Sequence, residues 1–313
     1  MGQFVQIALA RGQISLQRDA DITSDNKLIA MTDSDGLHLF ELGSLRERIL
    51  PTGDCDGVRL SPTGHLAAIT LRQRDSSLPA ALVRIWDYQT GNEVRSIAFT
   101  NGFEFMDWSS NGKNLYTQTE WGSLIVWDID SGTSKSNGVP CSGGQVVAVS
   151  PDGRDVVRND FRGELSVVGV EARRVLASSG FPVNRTRAWF SVDGRWFAAS
   201  EPDGQIVVWE WATSKKVGTL RGHSDFVWSI CFLPHRNRIV SLGNDRTVRL
   251  WEFGKMSNTS ALAFHLGTRP DDVRASSAMQ FSPSGEIVTL PTYTSTTNSE
   301  TLLWNLGERK GKA

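Results

Sequence analysis

The sequence predicts an all-β chain built from seven repeated four-stranded units, and two recurring motifs carry that prediction. A short strand closing on a bulky residue and a polar one returns seven times, as LFE at 39, IWD at 85, VWD at 126, VVG at 167, VWE at 208, LWE at 250 and LWN at 303. A Ser-Pro-Asp-Gly-like turn keeps the same rhythm, as SPTG at 61, SSNG at 109, SPDG at 150, SVDG at 191, LPHR at 233 and SPSG at 282, with a weaker TSDN at 23. In four copies the turn precedes the bulky residue by the same 18 positions, from 109 to 127, 150 to 168, 191 to 209 and 233 to 251. Between these anchors run short alternating segments bounded by Gly, Asp, Asn and Ser, the pattern of strands and tight turns. One four-stranded unit cannot bury its own apolar face, whereas seven stacked radially can, leaving only short edges.

The fullest copy is TLRGHSDFVWSICFLPHRNRIVSLGNDRTVRLWE, from Thr219 to Glu252. It places Gly222-His223 before a first strand, Ser241 in a second, Asp245 in a turn and Trp251 in a third. This arrangement resembles the WD40 repeat family, and the resemblance implies a seven-bladed β-propeller. It also implies a structural hydrogen-bond tetrad in which Asp245 orients His223, His223 meets the Ser241 hydroxyl, and Ser241 meets the Trp251 indole N–H. A buried indole N–H without an acceptor costs about 1–3 kcal/mol, so a satisfied network of this kind stiffens a blade. Only this copy is complete: Gln13 replaces the His in the first, Asp203 lacks its His in the fifth, and Val168 replaces the Trp in the fourth. Ser, His and Asp together invite a hydrolase reading, but no G-x-S-x-G elbow occurs.

The two termini fit a closed ring. Arg11 to Ile22 has the spacing of Arg221 to Phe232, so residues 3–10, centred on Phe4 to Leu9, form an outer strand that precedes the first unit. The last unit stops after its third strand at Trp304. The spare N-terminal strand is therefore expected to complete it, giving one propeller over residues 1–306 and a solvated tail at 307–313. Extra length falls around 72–80, 291–299 and 267–276, in loops that share one face of such a propeller.

With 33 basic and 34 acidic residues the net charge is −1, which argues against a field that draws the protein to nucleic acid or an anionic membrane. Cys55, Cys141 and Cys231 form no CxxC pair, so neither a disulfide framework nor a zinc site is expected, and a reducing, cytoplasmic setting fits. No apolar run is long enough to cross a bilayer, and the N-terminus lacks signal-peptide character. DSDG at 33 and DCDG at 54 open like calcium loops but carry Ser44 and His65 where the closing Glu belongs, so they read as turns. His38, His65, His235 and His265 have no ligand spacing and read as surface or loop residues. No P-loop is found, and no catalytic residue, cofactor or metal is assigned.

The resemblance suggests where a partner would dock. Phe226 and Trp228 take inner-strand positions that open onto the face around the central channel of WD40 peptide binders. The corresponding residues are Asp54 and Asp56 in the second unit and Glu104 in the third, with Glu120 close by. Acidic groups facing two aromatics across one mouth suit a Lys- or Arg-bearing peptide. The expectation is a non-enzymatic scaffold that binds a protein or peptide, as a monomer or within a larger complex. The competing expectation is a propeller enzyme with its site in the channel.

Overall fold

The computed structural model of the 313-residue chain describes residues 5–9, 19–44, 46–71, 81–99, 103–119, 124–136, 144–160, 164–169, 173–178, 187–201, 203–233, 237–254, 260–265, 280–281, 287–293 and 299–305. These form 28 strands. After β1 (Val5–Leu9), each run of four consecutive strands makes one antiparallel sheet. The first is β2 (Asp19–Ile22), β3 (Leu28–Thr32), β4 (Leu37–Glu41) and β5 (Glu47–Leu50). The second is β6 (Cys55–Leu60), β7 (Leu66–Leu71), β8 (Ala81–Asp87) and β9 (Asn92–Phe99). The third is β10 (Phe103–Trp108), β11 (Asn114–Thr119), β12 (Leu124–Asp128) and β13 (Ser134–Ser136). The fourth is β14 (Gly144–Val149), β15 (Asp155–Asp160), β16 (Glu164–Gly169) and β17 (Arg173–Ser178). The fifth is β18 (Ala188–Phe190), β19 (Trp196–Ser200), β20 (Ile206–Glu210) and β21 (Lys215–Leu220). The sixth is β22 (Val227–Phe232), β23 (Arg238–Gly243), β24 (Thr247–Glu252) and β25 (Ser260–His265).

The remaining sheet joins the two ends of the protein. β26 (Gln280–Phe281), β27 (Ile287–Tyr293) and β28 (Ser299–Asn305) are completed by β1, which pairs with β28 from Val5↔Asn305 to Leu9↔Thr301. Side chains are described in the first six sheets, while this one is described by its backbone pairing. The first strands touch in cyclic order, β2, β6, β10, β14, β18, β22, β26 and back to β2, so they line a central channel. The excess length at 291–299 is partly strand rather than loop, since Pro291 to Tyr293 pair with Thr301 to Ser299. The excess at 72–80 and 267–276 and the tail at 307–313 lie outside the described residues.

Among the described side chains, neighbouring sheets pack face to face, which explains why many strands read as continuous apolar runs. Leu37, Leu39 and Leu50 of the first sheet pack on Val58, Ala67 and Ile69 of the second. Val83, Ile85 and Phe99 of the second meet Met106, Trp108 and Leu115 of the third. The same interlock continues from the fourth to the fifth sheet and from the fifth to the sixth, where Ala198 and Val208 meet Val227, Ile239 and Trp251.

The Ser-Pro-Asp-Gly-like turns join first to second strands, and SSNG, SPDG and SVDG share one construction. In SPDG, the Ser150 hydroxyl donates to Asp152 at 2.6 Å and accepts the Asp155 N–H at 2.9 Å, and Gly153 takes a left-handed φ of 72°. The weak copy TSDN is built alike, with Thr23 donating to Asp25 at 2.7 Å and Asn26 supplying the left-handed residue. These turns also hold each other. Ser24 donates to the Pro62 carbonyl, Thr63 to that of Asn111 and Ser110 to that of Pro151, at 3.0, 2.9 and 2.6 Å. On this face of the ring the turns of the first four sheets are thus tied to one another.

Candidate functional site

The tetrad of the sixth sheet forms from the residues that the repeat pattern assigns to it. Trp251 Nε1 donates to Ser241 Oγ at 2.6 Å, and Ser241 Oγ lies 2.7 Å from His223 Nε2. Because the serine already accepts from the indole, its own proton points to Nε2, and Nδ1–H donates to Asp245 at 2.9 Å. Asp245 also accepts from Thr247 Oγ1 at 2.7 Å and from the N–H of Ser224 at 3.0 Å. Burial alone would raise the Asp245 carboxyl, but His223, Thr247 and Ser224 outweigh it and hold the group well below its ordinary range. Gly243 makes room for this: a Cβ there would lie 2.4 Å from His223 Nδ1. Ser241 and Trp251 are fully buried, so the Ser-His-Asp set has no access to a substrate.

Elsewhere the tetrad decays in steps. In the third sheet Trp127 Nε1 still donates to Thr117 Oγ1 at 2.9 Å. In the second, Ile69 stands at the serine position and the Trp86 indole N–H has no hydrogen-bond partner. The first sheet carries a different polar core, which corrects the reading of His38 as a surface or loop residue. His38 is 4% exposed on β4, with Nε2 3.0 Å from Asp33 and Nδ1 2.7 Å from Glu47. Burial opposes its charge, but the two carboxylates prevail and raise its pKa. Asp33 also caps its own turn by accepting from the N–H groups of Asp35 and Gly36.

The residues expected at the channel mouth share a backbone feature that periodicity does not show. The β6–β7 register skips between Cys55 and Gly57, that of β10–β11 between Phe103 and Phe105, and that of β22–β23 between Val227 and Ser229. The extra residues are Asp56, Glu104 and Trp228. A bulge of this kind turns its residue out of the sheet and re-aims the side chain. Asp56 is exposed and Asp54 half-buried. Trp228 is half-buried and fixed, its Nε1 donating to Asn244 Oδ1 at 3.2 Å while Asn244 is bonded to Asp225. Phe226 departs from expectation: it is 6% exposed and stands edge-on to Trp228 with centroids 4.9 Å apart. Glu104 lies on the bulge of β10, and Glu120 lies outside the described residues.

The channel itself holds charges that the repeat comparison passed over. The residue before the last core position of the first strand is Asp21 on β2, Arg59 on β6, Asp107 on β10 and Cys231 on β22; two residues earlier stand Asp19 and, just before β18, Arg187. Arg59 Nη1 bonds Asp19 Oδ2 at 2.7 Å, and Asp19 also accepts the N–H groups of Val58 and Ala20. Asp21 accepts from the N–H groups of Leu60 and Ile22, and Asp107 from that of Trp108. Burial raises Asp19 and Asp107 against the pull of Arg59, and lifts Asp21 to about 6. Three charges at one repeat position, Asp21, Arg59 and Asp107, were the available signal.

Asp21 makes stability depend on pH with a definite sign. Its folded pKa exceeds the unfolded value, so the native state binds the proton first and this group's contribution grows as pH falls through 6. Relative to Asp21→Asn, the natural protein should gain up to about 0.8 kcal/mol between pH 7.5 and 5.5 in urea-unfolding midpoints. An equal pH response in both proteins would remove Asp21 from the account.

The ring of four-stranded antiparallel sheets around a channel places the protein among the β-propellers. Residues 214–252, the stretch that carries the complete tetrad, match the family model described as WD domain, G-beta repeat. The chain is 30% identical over 135 residues to a WD repeat-containing protein of Synechocystis sp., covering 42% of this chain and 38% of that protein. It is 28% identical over 215 residues to autophagy-related protein 16 of Arabidopsis thaliana, covering 65% and 41%. Against WD repeat-containing protein 1 of Xenopus tropicalis it is 24% identical over 223 residues, covering 67% and 35%. The chain thus spans less than half the length of these curated relatives. One component in the crystal structure of the mitotic checkpoint complex superposes with a TM-score of 0.70 at 18% identity, over 96% of this chain and 90% of that one, a likeness of fold. The chain is thus a β-propeller that carries a WD repeat at residues 214–252 and resembles WD repeat-containing proteins.

Proposed function

We propose that this propeller is a non-enzymatic scaffold that binds a protein or peptide partner, one carrying Lys or Arg, on the face around the channel mouth. The observation that carries this reading is the shared bulge at Asp56, Glu104 and Trp228, three positions that the resemblance assigns to the mouth. Trp228 is held ready by Phe226 and Asn244, so little side-chain freedom is lost on binding. A half-exposed indole among carboxylates suits a cationic side chain. The opposite face uses its turns to join neighbouring sheets, and the one Ser-His-Asp set is sealed beneath Trp251. Both features favour binding over hydrolysis. A cytoplasmic setting belongs to the same reading, since the three cysteines are widely spaced and form no CxxC pair.

The test compares capture of interacting proteins by the natural protein and by variants that melt at the same temperature. Trp228→Ala should weaken the principal partner by about 2 kcal/mol, roughly 30-fold in Kd. Asp56→Lys should mainly slow association and flatten its salt dependence. Val192→Asp, on the opposite face at a residue 71% exposed, should bind normally. If Val192→Asp loses the partner while Trp228→Ala keeps it, the interaction face is inverted.

A further inference from the structure

The charges in the channel are unequally satisfied. Both oxygens of Asp19 and of Asp21 are engaged by the protein's own N–H groups or by Arg59, and Asp107 accepts the N–H of Trp108. Arg59 Nη1 donates in turn to Asp19 and to the Val58 carbonyl, at 2.7 and 2.6 Å. Arg187 differs. Its backbone is tied to Ser200, whose N–H donates to the Arg187 carbonyl at 2.9 Å and whose hydroxyl accepts the Arg187 N–H at 3.3 Å. Its guanidinium, with five donors, has no hydrogen-bonded acceptor among the described side chains, although Asp19 and Arg59 are close enough to act on its charge. It is exposed, and it lies immediately before β18, one of the strands that line the channel.

We propose that Arg187 is a carboxylate-binding site in the channel, taking a planar anion in a two-pronged hydrogen bond. The guanidinium fork matches a carboxylate in shape, and its backbone is pinned so that the fork starts from a fixed base. The surrounding groups select against more highly charged anions: Asp19, Asp21 and Asp107 against Arg59 and Arg187 leave the cluster at −1 when all are ionised, which repels a phosphate dianion more than a carboxylate. Among the other described groups facing the channel, the Cys231 thiol is pushed up to about 12 by burial and stays neutral, so it adds no competing charge. On the scaffold reading proposed above, the occupant is a carboxylate of the same partner, from an acidic side chain or from its C-terminus, entering the mouth beside Trp228. The site itself does not depend on that reading.

The test uses the natural protein with nitrogen-15-labelled arginine, the Arg187 Nε–H resonance being assigned by its loss in Arg187→Lys. Added sodium acetate should move this resonance along a saturating curve, while sodium chloride at equal ionic strength should not. Acetyl-glutamate amide and acetyl-diglycine, which carry only a side-chain and only a terminal carboxylate, should reproduce the shift, and the tighter of the two identifies the source. Arg187→Lys, which keeps the charge without the fork, should weaken acetate by about tenfold as read from the Arg59 resonance. No movement of the Arg187 resonance, equal movement in chloride, or stronger movement in phosphate would each overturn the assignment. A normal acetate response in a protein whose partner ignores Trp228→Ala would sink the scaffold reading and leave the carboxylate site standing.

Discussion

Removing residues 1–10 should convert the protein from a monomer into an aggregating species with a sharply lower melting temperature. β1 supplies the whole outer strand of the sheet that holds β26 to β28, in register from Val5↔Asn305 to Leu9↔Thr301. Without it the SETLLWN strand from Ser299 to Asn305 becomes an open edge seven residues long, with apolar residues and unpaired N–H and C=O groups, the usual template for pairing with another molecule. About five ladder hydrogen bonds at a net ~1 kcal/mol each are lost, so the cost is on the order of 3–5 kcal/mol. That is a large part of the 5–15 kcal/mol typical of a folded domain. Light scattering and thermal denaturation read both effects. A synthetic peptide of residues 1–10 added in trans should restore the monomer, and a truncated protein that stays monomeric at the original melting temperature would show that β1 does not close the ring.

The second large effect is expected in the tetrad. Trp251→Phe should destabilise by roughly 1–3 kcal/mol, because the Ser241 hydroxyl loses its indole donor and a fully buried ring shrinks. Ser241→Ala leaves the indole N–H and His223 Nε2 without their shared partner, so its cost should be similar. Since both changes break the same series of donors, the double variant should cost clearly less than their sum. Strict additivity would mean that the two residues do not act as one network. The low pKa of Asp245 adds a pH signature: its contribution is complete above the unfolded value near 4 and is lost as pH falls further, opposite in sign to that of Asp21.

How legible the molecule was differs between its parts. The strand boundaries and the sheet order follow from two motifs, because a strand has a period of two and a turn needs particular residues, and both requirements are local. Thr23, Asp25 and Asn26 show the strength of that constraint: TSDN shares only its acidic third residue with SPDG, yet it builds the same turn with the same hydroxyl-to-carboxylate bond. The tetrad was legible for the same reason, since His223, Ser241, Asp245 and Trp251 lie within one repeat. His38 was not. Nothing near it in sequence suggests burial, and its stability inside the first sheet depends on Asp33 and Glu47 converging on one ring.

By itself the sequence determined that this protein is all-β, how its strands group into repeats, that β1 belongs with the last of them, and which repeat carries the complete hydrogen-bond network. Only the tertiary structure decided what each residue at the channel does. A one-residue bulge leaves Trp228 half-buried while Phe226, two residues before it, is buried, and alternation cannot distinguish them because a bulge breaks the period of two on which alternation rests. The charges in the channel depended on tertiary structure still more. Asp19, Arg59 and Arg187 are far apart in sequence, and only closing the ring brings them close enough to set one another's charge.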